Sequence, residues 1–187
     1  MTSRPQSASQ TAGPYVHIGC TPSAAGLENI YGGNDLGADI FPPNTPRRKI
    51  VISGHVFDGA GDPVLDAMIE FWQTDATGRY GANGSAGGWA RRAVDPETGS
   101  YRLETILPAT TQDAAAHVKV WAVARGINLG LHTRIYFADE PGEQDPLLLA
   151  MKQSSRRSTL IAKGSGDEGY IFDIHLQGDK ETVFLNV

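Results

Sequence analysis

Cysteine is almost absent from this 187-residue sequence, in which Cys20 stands alone. A single cysteine excludes an internal disulfide framework and fits a reducing compartment. No apolar run approaches the roughly 20 residues that cross a bilayer. The polar residues 1–10 also lack the apolar core of a secretory signal. The sequence therefore predicts a protein of the cytoplasm with no membrane partner.

Positive charge is also scarce. The 16 Lys and Arg residues are outnumbered by 21 Asp and Glu, which gives a formal net charge of −5. Proteins that bind nucleic acid electrostatically carry a basic patch or run, and only the short 47–49 and 156–157 pieces are basic here. We expect no nucleic-acid partner.

The usual catalytic signatures are missing too. None of the five histidines forms a closely spaced pair of the zinc-binding type, and no Gly-x-Ser-x-Gly elbow is present. The glycine-rich residues 84–88 are not followed by the Lys-Ser/Thr of a phosphate-binding loop. The residues alone therefore indicate no complete catalytic constellation.

Helical periodicity is rare, whereas short β-type segments recur. Residues 1–48, rich in Gly, Pro, Asn and Ser, predict an irregular N-terminal arm that needs a surface to lie on. One helix is predicted over 146–154. The strands are predicted at 49–57, 67–74, 101–106, 118–124, 131–137, 170–177 and 182–187. This pattern predicts an all-β fold, an antiparallel β-sandwich over 49–187 that follows the arm.

Several ordered segments resemble intradiol ring-cleavage dioxygenases. Phe71-Trp72-Gln73-Thr74-Asp75-Ala76-Thr77-Gly78-Arg79-Tyr80 is similar to the Trp-Gln-Ala-(Asp/Asn)-x-x-Gly-x-Tyr segment of that family. Residues 9–19, 124–137, 157–163 and 170–178 resemble the α chains of its two-chain members. The resemblance covers nearly the whole chain and implies the intradiol type of sandwich with one or two short helices.

Metal-binding members of the family hold ferric iron through two tyrosinates and two histidines, and this chain departs from that pattern. Tyr80 and His117 match the first of each pair, but Thr111 and Lys119 stand at the other two positions, and an arginine usual at position 114 is alanine. A threonine hydroxyl is a poor anion, and an ammonium repels a cation. We expect no metal in this chain. Tyr80 and His117 are then either remnants with local packing roles or members of an altered pocket.

The resemblance implies a partner that completes the enzyme. A homologous β chain would carry the Fe(III), and the pair would cleave protocatechuate with O2 between its two hydroxylated carbons, giving 3-carboxy-cis,cis-muconate. The implied contribution of this chain is part of the substrate pocket, with the arm packed on the partner. The matching positions are Thr11, Gly13, Pro14, Tyr15 and Arg125. Gly13 and Pro14 suit a shaped backbone that comes close to a ligand.

Arg125 is the strongest substrate-binding candidate because protocatechuate carries a carboxylate. It is also suited to pairing with a carboxylate across a subunit interface. His132 and Arg134 are expected on the sheet surface or at an interface. Two other functions stay open: a self-sufficient catechol-type dioxygenase with its own iron, and a sandwich that only scaffolds or binds aromatics.

Overall fold

The computed structural model describes residues 8–42, 44–81, 87–140, 142 and 144–187, so most of the glycine-rich loop 81–88 lies outside it. The strands within these residues are β1 (Lys49–Phe57), β2 (Met68–Gln73), β3 (Trp89–Ala93), β4 (Ser100–Ile106), β5 (His117–Val123), β6 (Leu131–Phe137), β7 (Ile161–Ser165), β8 (Gly169–Ile171) and β9 (Ile174–His175). The helices are α1 (Pro14–Cys20), a 3-10 helix (Pro22–Ala25), α2 (Pro146–Ala150) and α3 (Ser154–Ser158). None of these helices has the length and apolar character needed to cross a membrane.

The strands pair in the order β3-β2-β5-β6-β7-β8-β1-β4, and β9 pairs with β1. The two ends of this order face each other across one core. Phe71 of β2 meets Tyr101 of β4 with ring centroids 5.6 Å apart, and buried side chains of both halves form a single cluster. The predicted all-β sandwich is confirmed.

The prediction that the sandwich is antiparallel is wrong in part. Strand β1 runs parallel to β8 and β9, and β6 runs parallel to β7. Alternation of apolar and polar residues identifies a strand and its buried face, but it carries no information on the direction of the neighbouring strand.

The five predicted strands that correspond to β1, β2, β4, β5 and β6 are confirmed to within one residue at each end. The single strand predicted at 170–177 is wrong, because it is interrupted between β8 and β9. There the Asp173 carboxylate accepts a hydrogen bond from the His55 backbone N–H at 3.0 Å. A side chain thus takes a place that a strand carbonyl would otherwise hold, and the ladder breaks.

The strand predicted at 182–187 is also wrong, since this segment makes only an isolated bridge between His132 and Leu185. Side chains hold its backbone instead: Thr133 donates to the Val183 carbonyl at 2.8 Å, and Val183 N–H donates to Thr159 at 3.1 Å. The helix predicted at 146–154 is shorter than expected, since α2 ends at Ala150, Met151 adopts an extended backbone, and α3 begins only at Ser154. Strands β3 and β7 were not predicted, since charged residues and a glycine hide their alternation.

The N-terminal arm is more ordered than the expected irregular segment. Pro14 stands in the first turn of α1, where its missing N–H costs no hydrogen bond. Residues 37–41 lie on the sandwich, where Gly88 N–H donates to the Ile40 carbonyl at 2.7 Å and Ile40 is buried. Farther toward the N-terminus the arm exposes large apolar side chains, namely Tyr15, Ile18, Leu27, Ile30, Tyr31 and Leu36.

Candidate functional site

One cavity of about 480 Å³ gathers all four positions that correspond to the family's iron ligands: Tyr80, Thr111, His117 and Lys119. His117 and Lys119 are two residues apart on β5, so both side chains leave the same face of the sheet. Tyr80 reaches the cavity from the turn after β2, where an isolated bridge pairs it with Thr74. The four positions that match the family's iron ligands therefore lie together in space.

The side chains of Tyr80 and His117 form a hydrogen bond within this cavity. The Nδ1 of His117 lies 2.8 Å from the Ala115 carbonyl oxygen, which can only accept, so Nδ1 carries the proton and donates. The other ring nitrogen, Nε2, is then an acceptor. It lies 3.3 Å from the Tyr80 hydroxyl, which donates to it. The atoms that would face a metal are thus already joined by a hydrogen bond.

The charges around this pair also disfavour a cation. Burial raises the pKa of Tyr80, so the phenol keeps its proton, and burial lowers the pKa of His117. The ammonium of Lys119 lies 4.3 Å from the centroid of the Tyr80 ring and 5.3 Å from that of Trp72. Burial and the nearby Arg134 lower the pKa of Lys119.

Ferric iron is a hard cation that requires several anionic or imidazole ligands, and the residues present do not fit it. One neutral phenol, one imidazole and a threonine hydroxyl share the cavity with two basic side chains, Lys119 and Arg134, and two carboxylates, Asp113 and Asp145. Among the described residues, no cluster of three or more His, Cys, Asp or Glu side chains is placed to hold a metal ion. Lys119 occupies one of the four ligand positions and Arg134 lies opposite it, so we find no chemical reason for these positions to attract Fe(III).

Arg134 was expected on the sheet surface or at an interface, but it also lines this cavity. Strands β5 and β6 pair so that Arg134 lies opposite Lys119, and Tyr136 lies opposite His117. The position of Arg134 opposite Lys119 depends on the register of the two strands. Alternation of apolar and polar residues alone does not fix that register.

Asp145 is a further residue of the cavity wall that sequence reasoning missed. Its side chain is buried and accepts hydrogen bonds from the Tyr136 hydroxyl at 3.0 Å, from Ala115 N–H at 2.9 Å and from Leu147 N–H at 2.9 Å. The carboxylate caps the start of α2 and ties that helix to β5 and β6. The Asp-Pro pair at 145–146, an N-cap followed by proline, was a usable signal.

We expect Asp145→Ala to lower the free energy of unfolding by about 3 kcal/mol or more, because buried backbone donors lose their acceptor at roughly 1–3 kcal/mol each. Urea denaturation would measure this. Asp113→Ala is the matched control, since Asp113 lines the same cavity but is exposed, and its effect should stay within about 0.5 kcal/mol. Equal effects of the two substitutions would contradict the role given to Asp145.

The predicted substrate-binding residues lie elsewhere. Gly13, Pro14 and Arg125 line a second cavity of about 630 Å³, whereas Thr11 immediately precedes and Tyr15 immediately follows lining residues of the arm. The Thr11 hydroxyl accepts a hydrogen bond from Gly126 N–H at 2.6 Å. The arm is therefore fastened to the loop after β5, next to Arg125.

The role predicted for Gly13, a close approach of the backbone to a ligand, stays a prediction. Its φ of −130° is ordinary extended backbone, and a Cβ there would meet no described atom within 4 Å. Among the described residues, nothing requires glycine at this position. Tyr15 is 85% exposed, and Arg125 forms a 3.4 Å ion pair with Asp66 while its side chain stays 81% exposed.

The two clusters lie toward opposite ends of β5. His117 begins the strand, and Arg125 follows its end by two residues. Eight residues of extended chain span roughly 25 Å. Arg125 and Tyr15 are thus too far away to act on a molecule beside Tyr80 and His117 of the same chain.

Comparisons with known proteins identify the family of this chain. A family model described as "Dioxygenase" matches residues 33–178. The chain is 39% identical to the protocatechuate 3,4-dioxygenase alpha chain of Pseudomonas putida, over 97% of this chain and 96% of that one. It is 30% identical to the protocatechuate 3,4-dioxygenase beta chain of Burkholderia cepacia, over 82% of this chain and 78% of that one.

A solved structure is similar as well. The dioxygenase domain of a dioxygenase carbohydrate-binding protein fusion from Streptomyces sp. SirexAA-E superposes with a TM-score of 0.60 at 27% identity. The superposition covers 74% of this chain and 86% of that domain. The chain therefore belongs to the dioxygenase family that includes the alpha and beta chains of protocatechuate 3,4-dioxygenase.

Proposed function

We propose that this chain is the alpha subunit of a protocatechuate 3,4-dioxygenase. It pairs with a homologous beta chain, and the complex cleaves protocatechuate with O2 between the two hydroxylated carbons to give 3-carboxy-cis,cis-muconate. Full-length similarity to an alpha chain supports this assignment. We also place the protein in the cytoplasm, because a single cysteine fits a reducing compartment.

The observation that carries the proposal is that Thr111 and Lys119 stand beside Tyr80 and His117 at the two remaining ligand positions of the cavity. In a family of ring-cleaving dioxygenases, a chain whose own ligand positions do not fit iron needs the metal from another chain. We assign the Fe(III), the Lewis acid of the reaction, to the beta chain, so this chain supplies substrate contacts rather than metal ligands.

The exposed apolar side chains of the arm favour a protein partner. No residue of helix α1 is fully buried, and Tyr15 and Ile18 are 85% and 38% exposed in the isolated chain. Helices are normally stabilised by packing an apolar face, so a bare helix of seven residues calls for a covering surface. We assign that surface to the beta chain.

In the assembled enzyme the segment 11–15 and Arg125 form part of the wall of the substrate pocket. The Arg125 guanidinium is accessible and can bind the substrate carboxylate through paired N–H donors. Tyr15 adds an aromatic surface with a polar tip. Pro14 and Gly13 shape the backbone beside it.

Coexpression with a beta chain tests the function. Oxygen uptake on protocatechuate is expected only when both chains are present, with 3-carboxy-cis,cis-muconate as the product. Each chain alone is the control. Full activity of this chain alone would favour a self-sufficient dioxygenase, and a stable but inactive complex would favour a scaffold.

A further inference from the structure

The cavity around Tyr80 places two positive charges side by side. Lys119 and Arg134 are directly opposite each other on β5 and β6, and both side chains line the cavity. Like charges at opposite positions of neighbouring strands repel and destabilise the sheet. A sheet that keeps such a pair in a concave, partly buried site gains stability when an anion binds between them.

Neither cation has a carboxylate partner among the described residues. The ion pairs within that part of the chain, judged at 4.0 Å, include neither Lys119 nor Arg134. Arg134 donates one hydrogen bond, from Nη1 to the Tyr136 hydroxyl oxygen at 3.2 Å. The other guanidinium donors and the Lys119 ammonium stay available to a ligand.

The acidic residues of the same wall do not replace such a ligand. Asp145 is buried, and both of its carboxylate oxygens accept hydrogen bonds from α2, β6 and the segment before β5. Asp113 is exposed, and it lies beyond ion-pair distance of both cations. The remaining polar groups are donors or already joined, since Tyr80 binds His117.

Most of the remaining wall is apolar. Ala114 lies before β5, Pro146 and Leu147 begin α2, and Thr111 adds a hydroxyl. The volume of about 480 Å³ exceeds what a simple inorganic ion fills and lies in the range of small-molecule sites. Basic donors at one side and an apolar wall at the other suit an anion attached to a flat hydrocarbon body.

We propose that this cavity binds a small aromatic carboxylate. Its carboxylate lies between the Lys119 ammonium and the Arg134 guanidinium, and its ring lies against Pro146 and Leu147. The physiological ligand rests on the proposed function, because the substrate of that reaction belongs to this chemical class. The binding itself needs no iron, oxygen or partner chain.

Isothermal titration of the full chain with 4-hydroxybenzoate tests the site. Binding with one molecule per chain is expected, and Lys119→Met should raise the dissociation constant at least tenfold. Phenol, which lacks the carboxylate, should bind at least tenfold more weakly than 4-hydroxybenzoate. Lys163→Met, at an exposed lysine of β7, is the matched control and should leave the dissociation constant unchanged.

Thermal denaturation separates lost binding from lost folding. Lys119→Met removes a charge that repels Arg134, so the ligand-free variant should melt at or above the temperature of the wild type. Absence of binding to the folded wild type, equal binding of phenol, or an unchanged constant in Lys119→Met would overturn the proposal. Failure of oxygen uptake with a beta chain would contradict the proposed function and leave this titration unaffected.

Discussion

Purified without a partner chain, this protein is expected to contain no stoichiometric iron and to show no visible absorption from a tyrosinate–ferric bond. The Lys119 ammonium over the Tyr80 ring is the main physical reason. At about 5 Å and an effective dielectric constant of about 20, it repels each positive charge of a metal ion by roughly 3 kcal/mol. Binding also requires Tyr80 to lose a proton although burial raises its pKa, and to break its hydrogen bond with His117.

Elemental analysis and an absorption spectrum of the chain, expressed in iron-supplemented medium, measure this directly. The homologous beta chain, handled in the same way, is the positive control and should be coloured. A coloured ferric site at one iron per chain, made by this polypeptide alone, would contradict both the charge argument and the assignment of the metal to the partner.

Strands with alternating burial could be predicted from the sequence, because one face of each lies on the core. Strand β1 alternates buried and accessible residues along its whole length, and its bounds were predicted without error. Strand β3, Trp89–Ala93, could not. The Arg91 side chain binds Glu70 of the neighbouring strand β2, and the Arg92 side chain binds backbone carbonyls of the arm. Their polar contacts depend on chain segments that are distant in sequence.

Four residues of the cavity around Tyr80 were predicted from the sequence, but the full set of charged residues around them was not. The family pattern fixed Tyr80, Thr111, His117 and Lys119, and the structure brings them together. Arg134 and Asp145 join them through strand register and a helix cap, which no spacing within one segment reveals. The combination of two basic and two acidic side chains at the site is therefore a tertiary property.

The N-terminal arm contains more regular structure than its sequence predicted. Its composition predicted an irregular segment, yet a Gly-Pro step begins α1. Because no residue of this helix is fully buried in its own chain, burial patterns were of no help in finding it. Its role as a contact for a partner stays a prediction, and so do the roles of Thr11, Gly13, Pro14, Tyr15 and Arg125 in a shared pocket.

In the assembled enzyme, Arg125→Ala is expected to raise KM for protocatechuate roughly 10- to 100-fold, because a charge-assisted hydrogen bond to a carboxylate contributes about 1.5–3 kcal/mol. KM for catechol, which has no carboxylate, should change far less. Steady-state oxygen uptake on both substrates measures the difference. Arg125→Lys keeps the charge but not the paired donors, so its KM for protocatechuate should lie between those of the wild type and Arg125→Ala.

The ion pair between Arg125 and Asp66 provides the decisive comparison, because it separates substrate binding from a structural role. Both side chains are accessible, so the pair itself contributes little to folding. If Arg125 binds substrate, Asp66→Asn removes a competing carboxylate, and KM for protocatechuate should fall or stay the same. If Arg125 only holds Asp66 in place, Asp66→Asn should reproduce the loss seen in Arg125→Ala. A matching loss, equal for protocatechuate and catechol, would assign Arg125 to structure, whereas opposite effects of the two substitutions would assign it to the substrate carboxylate.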